Sequence, residues 1–411
     1  MNSSTTSLID SRSPIYVQDC GFHCAMGSDS SHIHQSLERG YCDNMVVDRT
    51  SLNTGTPTIV GRVSEPLPEI PAHLSAFNTR NNQLALSALQ QIEPSVRHAI
   101  TTYGADRIAV LVGTSTSGIA DGENALTHKL EQGEFPSDYH YYKQELGNCS
   151  DFVARYFAIS GPCYVISTAC SSSGRVFITA KRMLNAGLVD AVIVGGVDTL
   201  CCLTLNGFNG LEALSQHLCK PFDAQRDGIN IGESAAFMLL GKTPSQQHTH
   251  AIALLGAGDS SDAHHISAPH PDGNGAEQAM RNALQDAKLT ASDIGYINAH
   301  GTATQLNDSM ESKAIFRVFG QHVAVSSTKP LTGHTLGAAS ATEAAIAWHI
   351  LQYQLPLPIQ RCANKAPDID ITLVETTLYL ENKAILSNSF AFGGNNISLI
   401  FGYVNDKASC N

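Results

Sequence analysis

Charge is scarce: 15% of the 411 residues carry one, and the acidic excess leaves a net charge of −12. No basic run offsets that excess, which excludes a nucleic-acid binder. The eleven cysteines are an odd, scattered set with no CxxC pair. Cys20 and Cys24 flank His23, but a zinc site takes four ligands at recognisable spacings and no second pair follows. No metal is therefore expected, and the thiols read as reduced, in a cytoplasmic protein. The opening segment, MNSSTTSLIDSR, lacks the apolar core of a signal peptide, and residues 1–12 read as a flexible tail. Long apolar runs are missing too. The most apolar stretch, Leu188 to Leu205, is broken by Asp190 and Asp198 and reads as a buried strand, not a membrane span. What remains, at 43% hydrophobic residues, is the composition of a compact enzyme with room for one large domain or two.

The chain is organised around Ser160 to Asn185, SGPCYVISTACSSSGRVFITAKRMLN. Tyr164–Val165–Ile166 reads as a buried strand, and a tight run of small residues follows from Ser167 to Gly174. Apolar residues then recur at helical spacing from Val176 to Leu184. Strand, sharp turn, cysteine, helix is the resulting order. It sets Cys170 at a helix start, where free N–H groups and the dipole favour a thiolate. A buried core cysteine is the competing reading of the same pattern.

Upstream, Ile15–Tyr16–Val17 opens the fold as a strand, Ser30 to Gly40 reads as a helix, and residues 41–75 read as irregular surface. Asn82 to Ile92 is an amphipathic helix, and Arg107 to Val112 a core strand that ends in Gly113–Thr114–Ser115–Thr116. Residues from about 120 to 150 read as an irregular cap insertion, and His248–Thr249–His250 as a linker. The second half then repeats the first. Ile294 to Asn298 is a strand running into His300–Gly301–Thr302–Ala303–Thr304, and Val323 to Ser327 a strand before the turn holding Lys329 and His334. A helix follows from Ala338 to Leu351, and GGNNISLIF near the C-terminus echoes GESAAFMLL after Gly232. Three echoes in one order predict a duplicated α/β unit, with an N-terminal half over 13–247 and a C-terminal half over 248–411.

Duplication brings four polar loops together: Cys170, His300, Lys329 with His334, and Phe390 to Gly394. A histidine within reach of a thiol points to nucleophilic catalysis. Two histidines and a lysine add donors able to hold an enolate and its carbonyl oxygen.

These stretches resemble the β-ketoacyl–acyl carrier protein synthases of the elongating, Cys-His-His kind, with their thiolase-like duplicated fold. The resemblance rests on STACSSSG around Cys170, NAHGTATQLND around His300, SSTKPLTGHTLGAA around Lys329 and His334, and SNSFAFGG near the C-terminus. Residues 211–234 and 260–273 support it. It implies an α/β fold with a layered αβαβα core. It also implies decarboxylative condensation of an acyl thioester on Cys170 with a malonyl thioester, in fatty-acid or polyene and polyketide elongation. By the family pattern His300 and His334 hold the malonyl carbonyl and the enolate, while Lys329 with Glu311 completes their polar network. The N–H groups of Cys170 and Phe392 form the oxyanion hole. Thr302 and Thr304 bind the phosphopantetheine arm, Phe392 with Asp262 and His265 gates the acyl pocket, and Thr116 lies near its floor. No cofactor of its own is implied, since phosphopantetheine arrives on the carrier protein. Partners implied are that carrier and a second subunit, as a homodimer or as a heterodimer with a ketosynthase-like, chain-length-determining partner.

The chain departs from the pattern at Ala303, at Ala391 where glycine is common, at Asn395, and at Glu212 where some relatives place an arginine used in carrier docking. A thiolase acting on coenzyme A esters would need a second cysteine in the C-terminal loop, and FAFGGNN has none. A non-catalytic ketosynthase-like subunit would lack the nucleophile.

Overall fold

The computed structural model describes residues 14–380 and 383–404, so the expected tail over residues 1–12 lies outside it. From β1 (Ile15–Cys24) the chain forms α1 (Ser30–Arg39), a hairpin of β2 (Met45–Asp48) and β3 (Thr58–Gly61), and the long helix α2 (Arg80–Tyr103). Then come β4 (Ile108–Gly113), α3 (Ile119–Gln132), α4 (Asn148–Phe157), β5 (Cys163–Ile166), α5 (Ser172–Asn185), β6 (Ala191–Asp198), α6 (Cys202–Gly210), β7 (Ile231–Gly232) and β8 (Ser234–Gly241). A second pass runs β9 (Ile252–Ser261), α7 (Asn274–Ala287), β10 (Ile294–Asn298), α8 (Gln305–Phe319), β11 (Ala324–Ser326) and α9 (Lys329–Thr332). It ends with α10 (Ala339–Tyr353), β12 (Thr372–Leu373), β13 (Ala384–Phe390) and β14 (Asn395–Tyr403).

The main sheet has the order β12-β11-β10-β13-β14-β9-β1-β8-β6-β4-β5. Read outward from the β1–β9 junction, each side gives the same plan. β1 pairs antiparallel with β8, β8 antiparallel with β6, and β4 lies parallel between β6 and β5. On the other side β9, β14, β13, β10 and β11 repeat those senses one for one. Helices α5 and α10 lie between the two halves, α2 and α4 cover one outer face, and α7 covers the other. This is the layered αβαβα arrangement expected of a thiolase-like fold. Every residue of α10 from Ala339 to Gln352 is buried, and its Ala-rich, all-round apolar surface lets the two halves of the sheet close on it.

Three expectations need correction. Residues 41–75 are not all irregular surface, because β2 and β3 pair there and bury Val60. The helix expected over residues 82–92 extends through Pro94 to Tyr103, because Ser95, Val96 and Ala99 are buried against the sheet and packing outweighs one lost backbone bond. The segment from about 120 to 150 is not irregular: α3 occupies its first half and α4 begins at Asn148.

The nucleophile helix reaches its strands through glycine. A Cβ on Gly113 would fall 2.3 Å from the Ser173 nitrogen, so only glycine lets the first turn of α5 lie on β4. Asp198, fully buried at the end of β6, then ties the halves together. It accepts from the hydroxyls of Thr114 and Thr116, from the N–H groups of Ser115 and Thr116, and from the N–H of Ala338 before α10, at 2.7–2.9 Å. Asp198→Ala leaves those buried donors unpaired, and urea denaturation should read a stability loss of about 3 kcal/mol or more. A loss within error of zero would mean that other contacts hold this junction.

Candidate active site

β5 ends in a sharp turn at whose corner Ala169 takes φ +52°, a left-handed conformation costly for alanine. The hydroxyl of Ser172 closes the turn, accepting from the Thr168 N–H at 2.9 Å and donating to the Ala169 carbonyl at 2.5 Å. Cys170 thereby stands one residue ahead of the α5 N-cap, Ser171, at the floor of a cavity of about 350 Å³.

The opposing half supplies the partners. His334 follows α9, and its Nε2 lies 3.0 Å from the Cys170 Sγ. Its Nδ1 accepts the N–H of Leu336 at 3.2 Å. A neutral imidazole that accepts at Nδ1 carries its proton on Nε2, so His334 turns an N–H toward the sulfur. The His300 ring stands nearly perpendicular to it, at 87° and 5.3 Å between centroids. Lys329 is buried, and its Nζ lies 2.6 Å from Glu343 Oε1, whose other oxygen accepts from Ser389 at 3.4 Å.

Burial sets the charge states. It holds His300 and His334 well below the usual histidine range, with Lys329 adding to the effect, so both are neutral near pH 7. It also pushes the Cys170 thiol up to about 11, although Lys329 and the N–H groups of Phe392 and Cys170 itself pull down. The thiolate expected from the helix start is thus outweighed by desolvation in the free enzyme. Donor atoms of Cys170, His300 and His334 all lie within 4.8 Å of one another. A metal would need a lone pair at the His334 Nε2, where the Leu336 bond keeps a proton, so the set suits a polarised carbonyl better than a cation.

Glu311 accepts from the N–H groups of His300 and Gly301 at 2.8 and 2.7 Å and fixes that loop, while the carboxylate bonded to Lys329 is that of Glu343. Two assigned residues sit differently from expectation. Thr116 does not line the cavity, because its hydroxyl is bound to Asp198 behind the elbow. His265 is exposed and uses Nδ1 to accept from the N–H groups of Ser267 and Ala268, closing its own turn. Asp262 does line the cavity and accepts from Asn396 Nδ2 at 2.7 Å, while its N–H donates to the Gly394 carbonyl. Phe392 packs on Phe208 of α6 at 5.6 Å between centroids. Thr302 and Thr304 both line the cavity, with hydroxyls 3.0 Å apart, and Thr304 also caps α8. Glu343 is the residue the motifs missed. Its signal was in the sequence: it is the single charged side chain of the apolar segment ASATEAAIAWHILQY, and such a charge needs a buried partner.

An elbow cysteine facing two buried, neutral histidines across a duplicated sheet defines a thiolase-fold condensing enzyme. Family models agree: the β-ketoacyl synthase N-terminal domain matches residues 75–245 and its C-terminal domain residues 252–362. The chain belongs to the β-ketoacyl synthase family, and it is an acyltransferase of the condensing class. It is 34% identical to 3-oxoacyl-[acyl-carrier-protein] synthase 2 of Synechocystis, over 77% of this chain and 80% of that one. It is 31% identical to nodulation protein E of Rhizobium meliloti, over 95% and 99%. One chain of a solved complex, a ketosynthase (ApeO) with its chain length factor (ApeC) from Xenorhabdus doucetiae, superposes with a TM-score of 0.91 at 47% identity, covering 98% of this chain and 100% of that one.

Two outcomes are expected. The rate at which iodoacetamide alkylates Cys170 should keep climbing with pH toward about 11, where a plateau near neutrality would show a preformed thiolate. Lys329→Met leaves Glu343 buried and unpaired and should cost about 3–5 kcal/mol in urea denaturation. Replacing both members by methionine should recover much of that loss, and a double variant no more stable than the single would argue against the pair.

Proposed function

We propose that this chain joins an acyl thioester to a malonyl thioester delivered on an acyl carrier protein, with loss of CO₂. The Cys170 sulfur attacks the acyl carbonyl, and the carrier thiol leaves with the displaced proton. Malonyl thioester then enters, and its carbonyl oxygen accepts from the histidine pair. The bond to the carboxylate breaks, releasing CO₂, and the electron pair stays on the enolate. Its carbon attacks the Cys170 thioester, whose oxygen is received by the N–H groups of Cys170 and Phe392. Collapse expels the cysteine sulfur and leaves a β-ketoacyl carrier. Lys329, held by Glu343, keeps both histidines neutral and therefore donating. Thr302 and Thr304 bind the phosphopantetheine arm, which reaches the site on its carrier, and Phe392 with Asp262 gates the acyl pocket. No other cofactor enters the scheme, and it runs in the cytoplasm. No helix among the described residues is long and apolar enough to cross a membrane.

The His334 geometry carries this reading, since an Nε2–H held 3.0 Å from sulfur is aimed as a donor rather than as a base. His334→Ala should still take an acyl group onto Cys170 in intact-protein mass spectra, while condensation falls by ~10²-fold or more, the usual size of losing one preorganised donor. Loss of acylation with decarboxylation unchanged would reverse the assignment. The masses trapped on Cys170 would also report the chain length used.

A second reading concerns assembly: this chain as the active half of a heterodimer whose partner sets product length. β5, which leads into the nucleophile turn, is one edge of the main sheet among the described residues, and Tyr164 on it is exposed. Leu126 and Leu130 on α3 are exposed as well. Of the three tyrosines between 139 and 142, only Tyr141 is free for such a contact; Tyr142 bonds Asp151 and packs on Phe77, and Tyr139 stacks on Phe135. Similarity to a chain of a ketosynthase–chain length factor complex favours the heterodimer over two identical copies. In sedimentation velocity the pure chain should then assemble weakly and lack condensing activity until a homologous partner is added. Full activity of the chain by itself would exclude this.

A further inference from the structure

His23, near the end of β1, is 1% exposed, and its Nε2 makes no hydrogen bond. Its Nδ1 lies 2.8 Å from the Ser87 hydroxyl of α2, which fixes the ring. Nε2 instead faces a carboxylate, with Glu65 Oε2 at 3.4 Å. The other oxygen of Glu65 faces a second imidazole, the Nδ1 of His32 on α1, at 4.0 Å. Ser28 donates to Glu65 Oε2 at 2.6 Å and so holds the carboxylate between the two rings. Gly27 keeps that place open. It has φ +103°, and a Cβ there would fall 2.9 Å from Glu65 Oε1 and 3.7 Å from His32 Nδ1.

The protein's own charges do not account for this arrangement. Burial lowers His23 from its usual range, so the ring is neutral at pH 7 and is no counter-ion for Glu65. Arg80, whose charge reaches His23, is bonded to Glu233 at 2.6 Å. With the Nδ1 proton given to Ser87, the Nε2 lone pair faces a negative oxygen, and a cation between them relieves that opposition.

We propose that His23, Glu65 and His32 form a site for a divalent cation of the zinc class, clamping the end of β1, the first turn of α1 and the segment ahead of α2. Two imidazoles and one carboxylate, with room for water, suit such an ion, whereas magnesium and calcium take oxygen ligands. Donors around a four-coordinate zinc stand about 3.3 Å apart for bonds near 2.0 Å. The first pair already has that separation, and His32, 65% exposed, closes the rest by turning its ring. Ser87 and Ser28 supply the outer hydrogen bonds that orient metal ligands. None of the three ligands lines the reactive cavity, so the site is separate from the acyl-transfer machinery. Spacing rules miss it because its ligands come from three segments of the chain and include no close pair.

The test uses the full chain, free of any affinity tag, with Cys170 and the other accessible thiols alkylated so that sulfur does not compete. In equilibrium dialysis against Zn²⁺ each chain should retain a single ion, and excess Mg²⁺ should not displace it. Glu65→Gln and His32→Ala alter side chains that reach solvent, so both variants should fold. Each should weaken Zn²⁺ binding by about tenfold or more, since a lost ligand costs at least as much as a lost outer partner. Zn²⁺ should raise the thermal midpoint of the unsubstituted chain and leave those of the two variants unmoved. Undiminished uptake by both variants would put the ion elsewhere, and no uptake by the unsubstituted chain would leave only a histidine beside a carboxylate. Either result overturns the proposal.

Discussion

Everything at the floor of the cavity depends on one buried ion pair, Lys329 with Glu343. Neither group is stable alone in so dry a place, since an unpaired buried charge costs several kcal/mol. Together they leave a cation beside two imidazoles without leaving a net charge. That cation makes it harder for either histidine to bind a second proton, and desolvation pushes the same way. Both rings therefore stay neutral, and the Leu336 N–H decides which nitrogen of His334 holds its proton. His334 thereby faces the sulfur as a donor that needs no acid from solvent.

The duplicated sheet explains why such a pair can be built. Cys170 comes from the turn after β5, and the Lys329–His334 turn comes after β11, the strand in the equivalent place of the second half. Their following helices, α5 and α10, lie side by side between the sheets, so two equivalent turns meet at one end of the central layer. Asp198 fastens the meeting point by gathering donors from both halves. The charge of Glu343 sits in α10, buried from Ala339 to Gln352, where water cannot compete for Lys329.

The repeat was legible because strand-to-turn motifs recur in order and carry rare polar residues; Cys170, His300, Lys329 and His334 announced themselves in that way. What stayed hidden was which carboxylate serves which cation. Glu311, expected with Lys329 in the polar network of the histidines, turns its oxygens to two backbone N–H groups of the His300 loop, and the carboxylate bonded to Lys329 is another one. Glu343 lies 14 positions after Lys329, inside an apolar helix that carries it back over the turn. Thr116 and His265 failed for a related reason: a hydroxyl or ring nitrogen is spent on the nearest backbone or carboxylate donor and acceptor, and a sequence does not display that competition. The helix through Pro94 was missed because local propensity argued against it while the sheet beneath paid for it.

The loop from Phe390 to Gly394 follows the same logic of local constraint. Where relatives commonly carry glycine, Ala391 sits at φ −96° and ψ 153°, an extended conformation any residue adopts, so its methyl costs nothing in this arrangement. The bend is borne by Gly393 and Gly394, at φ +81° and +75°, and it is there that the loop bonds to Ile266 and Asp262. Freedom at position 391 would matter only for a conformation with positive φ, which alanine disfavours by about 1–2 kcal/mol. The alanine thus biases the loop toward the arrangement in which Phe392 packs on Phe208 and its N–H points at the sulfur. A backbone N–H already held against the sulfur needs no ordering before it can donate, and the extended backbone at Ala391 is what holds it there.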